Sequence, residues 1–578
     1  MVAGRARRGG RGRCRERARA SGSLSRPPGA NAYTRGTSLI DDGDRRPMSR
    51  QHRNPGNRLE PFTAPTRRQL LEGAGLALLG SLLGAGCADP GREGGTTTLS
   101  PPPGLGDAQL EGLDGVALAD LVRRGEITPM ELVDDALQRI AAVNPRLNAV
   151  LAGLFDAARA RAHAETLGTA DGPLAGVPVL VKNLTEWSAA EIDSGSRLMR
   201  RAIDEGVVPL PATSPLIAAM EAAGMRIVGV TNSPEFGLID TTEPVLHGPT
   251  RNPWDLQRTA GGSSGGSGAA VAAGIVPIAH GNDGGGSIRI PACRNGIFGL
   301  KPSRGRELGG GEGTLAISSD LCLSRSVRDT AAFLSVVERR EAAALAPLGM
   351  VQRGEAAPLR IALSIAGPDG AAPHPQVEAA TVDAAALCEE LGHRVDEATL
   401  PFGADLTDVF IGFWASGATA IVDQARAWFP DADLGELLEP WTLGLAELGR
   451  SRGVEAAAER AIEAFGALEQ RFASLWQSYD VILTPVLSSP PYPIGHHDPT
   501  LDFDTVLARV LREVAYTPVH NALGTPAMSV PLGWTGDPLP IGVQFAARRG
   551  AEATLLQLAY QLEEARPWAS RRPPVHAG

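Results

Sequence analysis

Apolar and polar positions along the chain fall into blocks whose spacing alternates between that of helices and that of buried strands. Residues 128–131, Thr-Pro-Met-Glu, are typical of a helix start, with a capping threonine, a proline in the first turn and a glutamate three residues after the cap. Residues 177–181 are a short apolar run that predicts a buried strand ending at Lys182. The pattern also predicts helices over 214–224, 269–274 and 552–564 and strands over 226–230 and 275–279. Such alternation favours an α/β fold in which helices cover a sheet.

These blocks occupy one long region of the chain. Residues 88–106 are rich in glycine, threonine and proline and predict a linker. From residue 107 to residue 578 neither a repeat nor a second linker of that length is present, which predicts one large domain. Within it, residues 340–475 are rich in alanine and predict helices, and we expect them to line the substrate pocket.

The amino-terminal residues predict an export signal. Residues 1–47 are rich in arginine without apolar periodicity, as in a solvated segment or an upstream extension before a start at Met48. Residues 66–71, Thr-Arg-Arg-Gln-Leu-Leu, match a twin-arginine pattern and precede the short apolar stretch 76–86. Cys87 follows a box of small residues that resembles a lipoprotein cleavage site, although glycine stands where leucine is usual.

Residues 48–87 therefore predict a twin-arginine, lipoprotein-like signal, with Cys87 as the candidate lipid anchor. The protein is then expected in the periplasm or anchored to a membrane as a lipoprotein. The alternative is a short buried helix in this segment, which would leave the protein in the cytoplasm.

Composition narrows the class of protein and singles out two side chains. The 578 residues are 43% hydrophobic and 21% charged, which excludes a disordered chain, and the net charge of −10 argues against nucleic acid as a partner. No run of about 18 apolar residues is present, which excludes a multi-span membrane protein. The five cysteines form no CxxC pair. Of the 55 basic residues only Lys182 and Lys301 are lysines. Either these two remain by chance, or their positions need an amine that can lose its proton near neutral pH, which arginine cannot provide.

The segment 261–267, Gly-Gly-Ser-Ser-Gly-Gly-Ser, allows several interpretations. A flexible linker fits poorly, because apolar helix and strand patterns flank the segment closely. A phosphate loop would need the Gly-Lys-Ser/Thr ending, which is missing. A GxSxG nucleophile elbow fits with Ser263 or Ser264 at its centre and His520 as the candidate base, although the residues before it make a poor strand.

A second serine gives another interpretation. Asp283 is followed by three glycines and then by Ser287. Consecutive glycines allow backbone N–H groups to turn toward one point, because no side chain obstructs the approach. Donors that converge beside a hydroxyl are what the tetrahedral intermediate of acyl transfer requires. Ser287 is then the candidate nucleophile, and the candidate oxyanion hole consists of the N–H groups of Gly284, Gly285, Gly286 and Ser287.

Short motifs in a fixed order are distributed along nearly all of residues 107–578. They are residues 172–178, Lys182, 231–232, 252–254, 261–267, 283–289, 291–292, 299–302, 325–329, 479–485, 521–526 and 540–544. In this order they resemble the amidase signature family. Residues 241–248, the triple glycine before Ser287 and residues 301–306 look more like the 6-aminohexanoate cyclic-dimer hydrolase subgroup than like the glutamyl-tRNA amidotransferase subunit.

The resemblance implies an amidohydrolase with a Lys182–Ser263–Ser287 triad. In this family the middle serine follows a cis peptide, here Gly262–Ser263, and relays a proton between the serine nucleophile and the lysine base. Such a lysine is desolvated, which lowers its pKa toward neutrality. No metal or cofactor is needed. Ser264 is expected to hydrogen-bond within the relay.

Further implications concern the fold, the neighbouring residues and the partners. The family resemblance implies a single domain with a mixed, mostly parallel sheet covered by helices on both faces. Asp283 and Arg289 are expected to brace the loop, and Asn183 stands where many members have aspartate. The partners are a small-molecule amide and no nucleic acid, and a homodimer is left open. Two alternatives remain: an exported α/β-hydrolase-type esterase that uses the GxSxG serine, and an inactive binding lipoprotein.

Overall fold

Strands and helices alternate through the part of the chain that the computed structural model describes, which is residue 110 and residues 112–578 apart from 169, 342–343 and 355–356. The strands are β1 (Pro178–Lys182), β2 (Arg226–Thr231), β3 (Arg251–Asn252), β4 (Asp255–Thr259), β5 (Ile278–Asp283), β6 (Phe298–Lys301), β7 (Ser319–Ser324), β8 (Arg360–Leu363), β9 (Arg394–Glu397), β10 (Val481–Pro485), β11 (Ala527–Trp534) and β12 (Pro540–Ala547). The predicted signal segment and linker lie outside the described residues.

The helices connect and cover these strands. They are α1 (Gly115–Arg123), α2 (Pro129–Leu147), α3 (Ala157–Thr166), α4 (Arg197–Asp204), α5 (Pro215–Ala222), α6 (Gly265–Ala272), α7 (Arg289–Asn295), α8 (Val327–Val337), α9 (Pro375–Glu390), α10 (Ala404–Trp428), α11 (Leu434–Leu437), α12 (Pro440–Arg452), α13 (Val454–Ser478), α14 (Phe503–Glu513), α15 (Pro518–Leu523) and α16 (Glu552–Ala565). Among the described residues, none of them combines the length and apolar character needed to cross a membrane.

Ten of the strands form one mixed sheet in the order β2-β1-β5-β7-β6-β11-β12-β10-β8-β9. Parallel pairs join β2, β1 and β5 at one end and β10, β8 and β9 at the other. Between these two groups the pairings are antiparallel. Because the carboxyl ends of parallel strands meet at one edge, β1, β2 and β5 deliver their last residues to the same place.

Helices cover both faces of the sheet, as three successive residues of β8 show. Ile361 and Leu363 of β8 belong to the large core cluster that includes residues of α9 and α16. Ala362 and Ile482 lie in another cluster, with residues of α10 and α13. Since the side chains of a strand alternate between its two faces, helices cover each of them. The predicted α/β fold with a mixed, helix-covered sheet is confirmed.

The predicted helix start at residue 128 is confirmed in detail. The Thr128 hydroxyl accepts a hydrogen bond from the Glu131 N–H at 3.2 Å, and the Glu131 carboxylate accepts one from the Thr128 N–H at 2.8 Å. This reciprocal pair satisfies two N–H groups that would otherwise lack helical partners. The predictions of β1, β2, α5 and α16 are confirmed to within a few residues.

Two predictions needed correction. The strand predicted over 275–279 begins only at Ile278, because Pro277 has no N–H to donate and the Ile275 N–H instead bonds to the Ala270 carbonyl at 3.0 Å. The helical stretch over 340–475 also contains β8 and β9, each of four residues. Strands this short, one of them with a polar, partly exposed sequence, leave too few apolar positions to show a period of two.

Candidate active site

Lys182 lies at the carboxyl end of β1 and is fully buried. Its backbone is held in register with Thr231 of the neighbouring parallel strand β2. Its Nζ lies 2.6 Å from Ser263 Oγ and 2.5 Å from Asn282 Oδ1. The amine therefore has one hydroxyl and one amide oxygen as its partners, and no carboxylate among the described residues forms an ion pair with it.

The surroundings of Lys182 favour its neutral form. Burial lowers the pKa of Lys182 to about 7, against the opposing effect of the carboxylates of Asp320 and Asp283. An amine with this pKa is partly deprotonated at neutral pH and is able to accept a proton, which a guanidinium group is not.

Ser263 reaches Lys182 from the turn that precedes α6. The peptide bond Gly262–Ser263 is cis, as the family resemblance implied. Thr242 holds this turn on both sides, since its hydroxyl donates to the Gly261 carbonyl at 2.9 Å and accepts from the Gly265 N–H at 3.1 Å. Ser263 is 2% exposed, so its hydroxyl is shielded from bulk water and its partner is Lys182.

Ser287 follows β5 at the end of the triple-glycine turn. The Asp283 carboxylate organises this turn, accepting hydrogen bonds from the Gly286 N–H at 2.7 Å and the Ile288 N–H at 3.2 Å. Gly286 has a φ of +136°, and a Cβ there would lie 2.4 Å from Thr517 Oγ1, so only glycine fits. Among the described residues the Ser287 hydroxyl has no hydrogen-bond partner, and it faces a pocket.

The predicted set of oxyanion donors needs one correction. The Gly286 N–H is engaged by the Asp283 carboxylate, because the turn wraps around that side chain. The N–H groups of Gly284, Gly285 and Ser287 stay candidates for the oxyanion hole.

Asp283 and Arg289 form a fully buried ion pair beneath the turn, with 2.8 Å between Arg289 Nη2 and Asp283 Oδ1. Arg289 also donates to the Thr517 carbonyl, to Gln544 Oε1 at 2.8 Å and to Asn521 Oδ1 at 2.6 Å. Burial by itself would raise the pKa of Asp283, but the Arg289 charge and its hydrogen bonds hold that pKa well below its usual range. The pair is thus an ionised brace that ties the turn to α15 and β12.

Ser264 and His520 do not have the positions that the sequence suggested. The Ser264 hydroxyl lies 3.3 Å from the Asn282 carbonyl, and not on Ser263 or Lys182, because Ser264 already begins the turn into α6. His520 Nδ1 lies 3.0 Å from Thr525 Oγ1, so the ring is not paired with a serine of the 261–267 segment. In addition, β4 before that segment belongs to the small β3–β4 sheet. The nucleophile-elbow interpretation is therefore wrong.

Asn282, His280 and Asp320 are site neighbours that the sequence analysis did not single out. Asn282 provides the second acceptor for Lys182, and His280 Nε2 lies 3.1 Å from Asp320 Oδ1. His280 Nδ1 faces Thr185 Oγ1 at 3.3 Å. The available signal was their position, since His280 and Asn282 both lie within β5, two residues apart, and Asn282 is in register with Asp320 of β7.

Ser287 opens onto a pocket whose walls come mainly from apolar side chains of α10, α14 and the 237–240 segment. Gly237 belongs to the same walls, and a Cβ on it would lie 3.2 Å from Ser263 Oγ. Gly237 thus lies between the pocket and Ser263, which is not itself one of the pocket-lining residues. No group of histidine, cysteine or acidic side chains in the described part of the chain is arranged to hold a metal ion. Cys293, Cys322 and Cys388 are buried, and burial raises the pKa of the Cys293 thiol to about 11.

A family model, curated relatives and a solved structure all relate this chain to amide-cleaving enzymes. A family model described as Amidase matches residues 131–556. A Mycobacterium tuberculosis protein that carries the name amidase AmiC is 39% identical over 477 residues, covering 81% of this chain and 98% of that protein. The 6-aminohexanoate-cyclic-dimer hydrolase of Pseudomonas sp. (strain NK87) is 36% identical over 490 residues, covering 80% and 96%. A solved structure of 6-aminohexanoate cyclic dimer hydrolase superposes with a TM-score of 0.72 at 32% identity, covering 80% of this chain and 99% of that one.

Proposed function

Because the chain belongs to the amidase signature family and is an amide-cleaving hydrolase, we propose that it cleaves carboxylic amides through an acyl-enzyme on Ser287, with Ser263 as proton relay and Lys182 as base. The observation that carries this proposal is the 2.6 Å contact between Lys182 Nζ and Ser263 Oγ, together with a Ser287 hydroxyl that faces a pocket. A buried, near-neutral lysine in contact with a serine is the arrangement that activates a hydroxyl nucleophile.

The first half of the reaction forms the acyl-enzyme. Ser287 Oγ attacks the amide carbonyl carbon, its proton passes to Ser263 Oγ, and the Ser263 proton passes to the neutral amine of Lys182. The carbonyl oxygen becomes an oxyanion, stabilised by backbone N–H groups of the glycine turn. The intermediate then collapses, the C–N bond breaks, and the leaving nitrogen takes the proton back along the same relay.

The second half releases the acid. A water molecule attacks the ester carbon of acyl-Ser287 and gives its proton to Lys182 through Ser263. When the C–O bond to Ser287 breaks, the serine oxygen recovers a proton by the reverse path. The products are a carboxylic acid and an amine, and the enzyme returns to its starting protonation state.

A fluorophosphonate tests the nucleophile, because it phosphonylates activated serines. We expect one adduct by intact mass, mapped to the peptide with Ser287, absent in Ser287→Ala and formed far more slowly in Lys182→Ala. Ser451→Ala, at an exposed serine of α12, is the matched control and should label as the parent does. An adduct on Ser263 or Ser264 would contradict the assignment, and no adduct on a folded protein would favour the inactive binding lipoprotein.

For the substrate, we propose linear or cyclic amides of the aminohexanoate type. This rests on the likeness to the 6-aminohexanoate-cyclic-dimer hydrolase and on the triple-glycine and 301–306 residues. Release of amino groups from the cyclic dimer, followed by mass spectrometry of the opened product, tests it directly. Turnover of simple anilides with an intact cyclic dimer would show a different amide substrate.

We further propose export by the twin-arginine route with lipid attachment at Cys87, on the sequence of residues 66–71 and the small-residue box before Cys87. Replacing Arg67 and Arg68 by lysine should keep the protein in the cytoplasm. Cys87→Ala should abolish labelling by an alkyne analogue of palmitate while leaving export intact. Equal distribution of parent and double-lysine variant would remove the support for this route.

A further inference from the structure

The pocket in front of Ser287 has almost entirely apolar walls. They include Leu238 and Ile239 from the segment after β2, Phe410 and Trp414 from α10, and Trp441 from α12. Side chains of this kind exclude water and offer neither charge nor hydrogen bonds to whatever lies between them. A group bound in this pocket would therefore be surrounded mainly by apolar side chains.

One ionisable side chain, Asp240, lies among the pocket-lining residues, and it is already paired. Its Oδ1 lies 2.8 Å from His497 Nδ1, and its Oδ2 accepts a hydrogen bond from the Tyr492 hydroxyl at 3.1 Å. The Asp240 carboxylate is therefore satisfied by protein groups. A cationic substrate group in the pocket would have to compete with His497 for it, and an anionic one would meet no counter-charge from the pocket-lining side chains.

Two aromatic side chains of α10 stand directly on the glycine turn. Phe410 and Trp414 are one helical turn apart and stacked, with ring centroids 6.2 Å apart and an interplanar angle of 16°. A Cβ on Gly284 would lie 3.1 Å from Trp414 Cζ3, and one on Gly285 would lie 3.6 Å from Phe410 Cε1. This aromatic wall therefore begins at the backbone that carries the candidate oxyanion donors.

The indole N–H groups of the two tryptophans in the pocket wall already have hydrogen-bond partners in the protein. Trp414 Nε1 and Trp441 Nε1 both donate to the Leu238 carbonyl, at 3.2 and 3.1 Å. With their N–H groups satisfied, the two indoles contribute only apolar surface to the pocket. The shared carbonyl also connects α10 and α12 to the 237–240 segment.

We propose that the acyl part of the substrate is an uncharged apolar chain or ring that lies against the Phe410–Trp414 wall, and that Trp414 is a specificity-determining residue. This inference rests on the proposed acyl transfer at Ser287. It predicts that a charge within the first few atoms of the acyl carbonyl prevents productive binding, since that charge would be desolvated without a partner. Among aminohexanoate amides, the uncharged cyclic form fits this pocket better than a linear form whose short acyl chain ends in an ammonium group.

The test compares three 4-nitroanilides on the full chain: hexanoyl, glutaryl, which has similar length but a terminal carboxylate, and acetyl. We expect kcat/KM for hexanoyl to exceed that for glutaryl by about 100-fold or more, because the buried charge finds no partner. Trp414→Ala should lower the hexanoyl-to-acetyl ratio of kcat/KM about tenfold, the scale at which hydrophobic pockets discriminate. Trp428→Ala, at a tryptophan of the same helix that does not line the pocket, should leave this ratio unchanged.

The outcomes separate this inference from the proposed function. Fluorophosphonate labelling at Ser287 together with equal turnover of hexanoyl and glutaryl anilides would overturn the apolar-acyl inference alone. Loss of labelling at Ser287 in folded protein would overturn the acyl-enzyme mechanism itself. If Trp414→Ala does not fold, Trp414→Phe and the comparison of the three substrates on the parent protein still decide the question.

Discussion

At the scale of single residues, the proposed mechanism depends on how far burial lowers the pKa of Lys182. The pKa of about 7 reflects burial in the first place, and the nearby carboxylates of Asp320 and Asp283 limit the shift. Asp320 does so from beside His280, which separates it from the β1 backbone at Lys182. The pKa of Lys182 is thus influenced by carboxylates that do not contact its amine.

The pH profile follows from this. Since Lys182 accepts a proton in the proposed mechanism only when its amine is neutral, kcat/KM should rise with pH through about 7, the pKa of Lys182. Asp320→Asn removes a carboxylate that raises this pKa, so the rising limb should move to lower pH. Asp537→Asn, at an exposed loop position, should leave the limb in place. A limb that stays at the same pH in Asp320→Asn would show that another group controls it.

The proposed base role of Lys182 predicts that arginine cannot replace lysine at this position. Lys182→Arg keeps a long basic side chain but holds its proton at all accessible pH values. We expect Lys182→Arg and Lys182→Ala to lower kcat/KM by about 100-fold to 10,000-fold, the usual contribution of a general base. Steady-state anilide hydrolysis measures this, with circular dichroism as the check on folding. A Lys182→Arg variant with near-parental activity would exclude the base role.

The candidate residues Lys182, Ser263 and Ser287 were accessible from the sequence because their neighbours form motifs of fixed order. The sequence could not predict that the Gly286 N–H is unavailable as an oxyanion donor, since this depends on where the Asp283 carboxylate lies in three dimensions. The contact of Asn282 with Lys182 could not be predicted for a similar reason. An asparagine near a strand end can have many partners, and only the 2.5 Å distance from Asn282 Oδ1 to Lys182 Nζ identifies the lysine as its partner.

At the scale of elements, the turn between β5 and α7 depends on one buried ion pair. Arg289→Met would remove the charge that balances Asp283 and leave a buried carboxylate with only neutral donors. Breaking a buried pair in this way costs about 3–5 kcal/mol. Arg328→Met, which breaks the pair with Asp114 at a largely exposed arginine, should cost about 1 kcal/mol or less. Chemical denaturation of both variants compares the two, and similar losses would contradict the bracing role of Arg289.

Element prediction succeeded where local chemistry decides the structure. The capping box of α2, formed by Thr128 and Glu131, and the apolar run of β1 are determined by neighbouring residues in the sequence, and both elements are present as predicted. Prediction failed at Pro277, where the chain passes from a helix end to a strand within the core, and at the four-residue strands β8 and β9. Those strands exist because of partners distant in sequence, which no local pattern records.

At the scale of the whole molecule, the ten-stranded sheet buries both lysines of the chain. Burial, with the nearby charge of Arg289, lowers the pKa of Lys301 to about 7 as well. The Lys301 amine donates to the Pro302 carbonyl at 2.8 Å and lies outside the proposed relay. Its protonation therefore affects the free energy of unfolding and is not a step of the proposed mechanism.

The resulting pH dependence of stability has a definite sign. In the unfolded chain a lysine keeps its proton up to about pH 10.4, whereas folded Lys301 loses it near pH 7. Between these values the unfolded state binds more protons, so the Lys301 contribution to the free energy of unfolding rises with pH, by up to about 1.4 kcal/mol per unit. Three buried acids have the opposite effect, because burial raises the pKa values of Glu307, Asp329 and Glu439 to about 8. Between about pH 4.5 and 8 the folded state binds more protons at these groups, so their contribution to the free energy of unfolding falls as the pH rises.

Substitution of Lys301 separates these contributions, because the acidic groups are common to both proteins. Between pH 7.5 and 10, the free energy of unfolding of the parent should rise relative to that of Lys301→Met, since only the parent has this buried amine to deprotonate. Arg340→Met, at a side chain that is 63% exposed, should follow the parent curve. Denaturant titrations at several pH values measure the difference, and parallel curves for the parent and Lys301→Met would mean that Lys301 titrates normally in the folded protein.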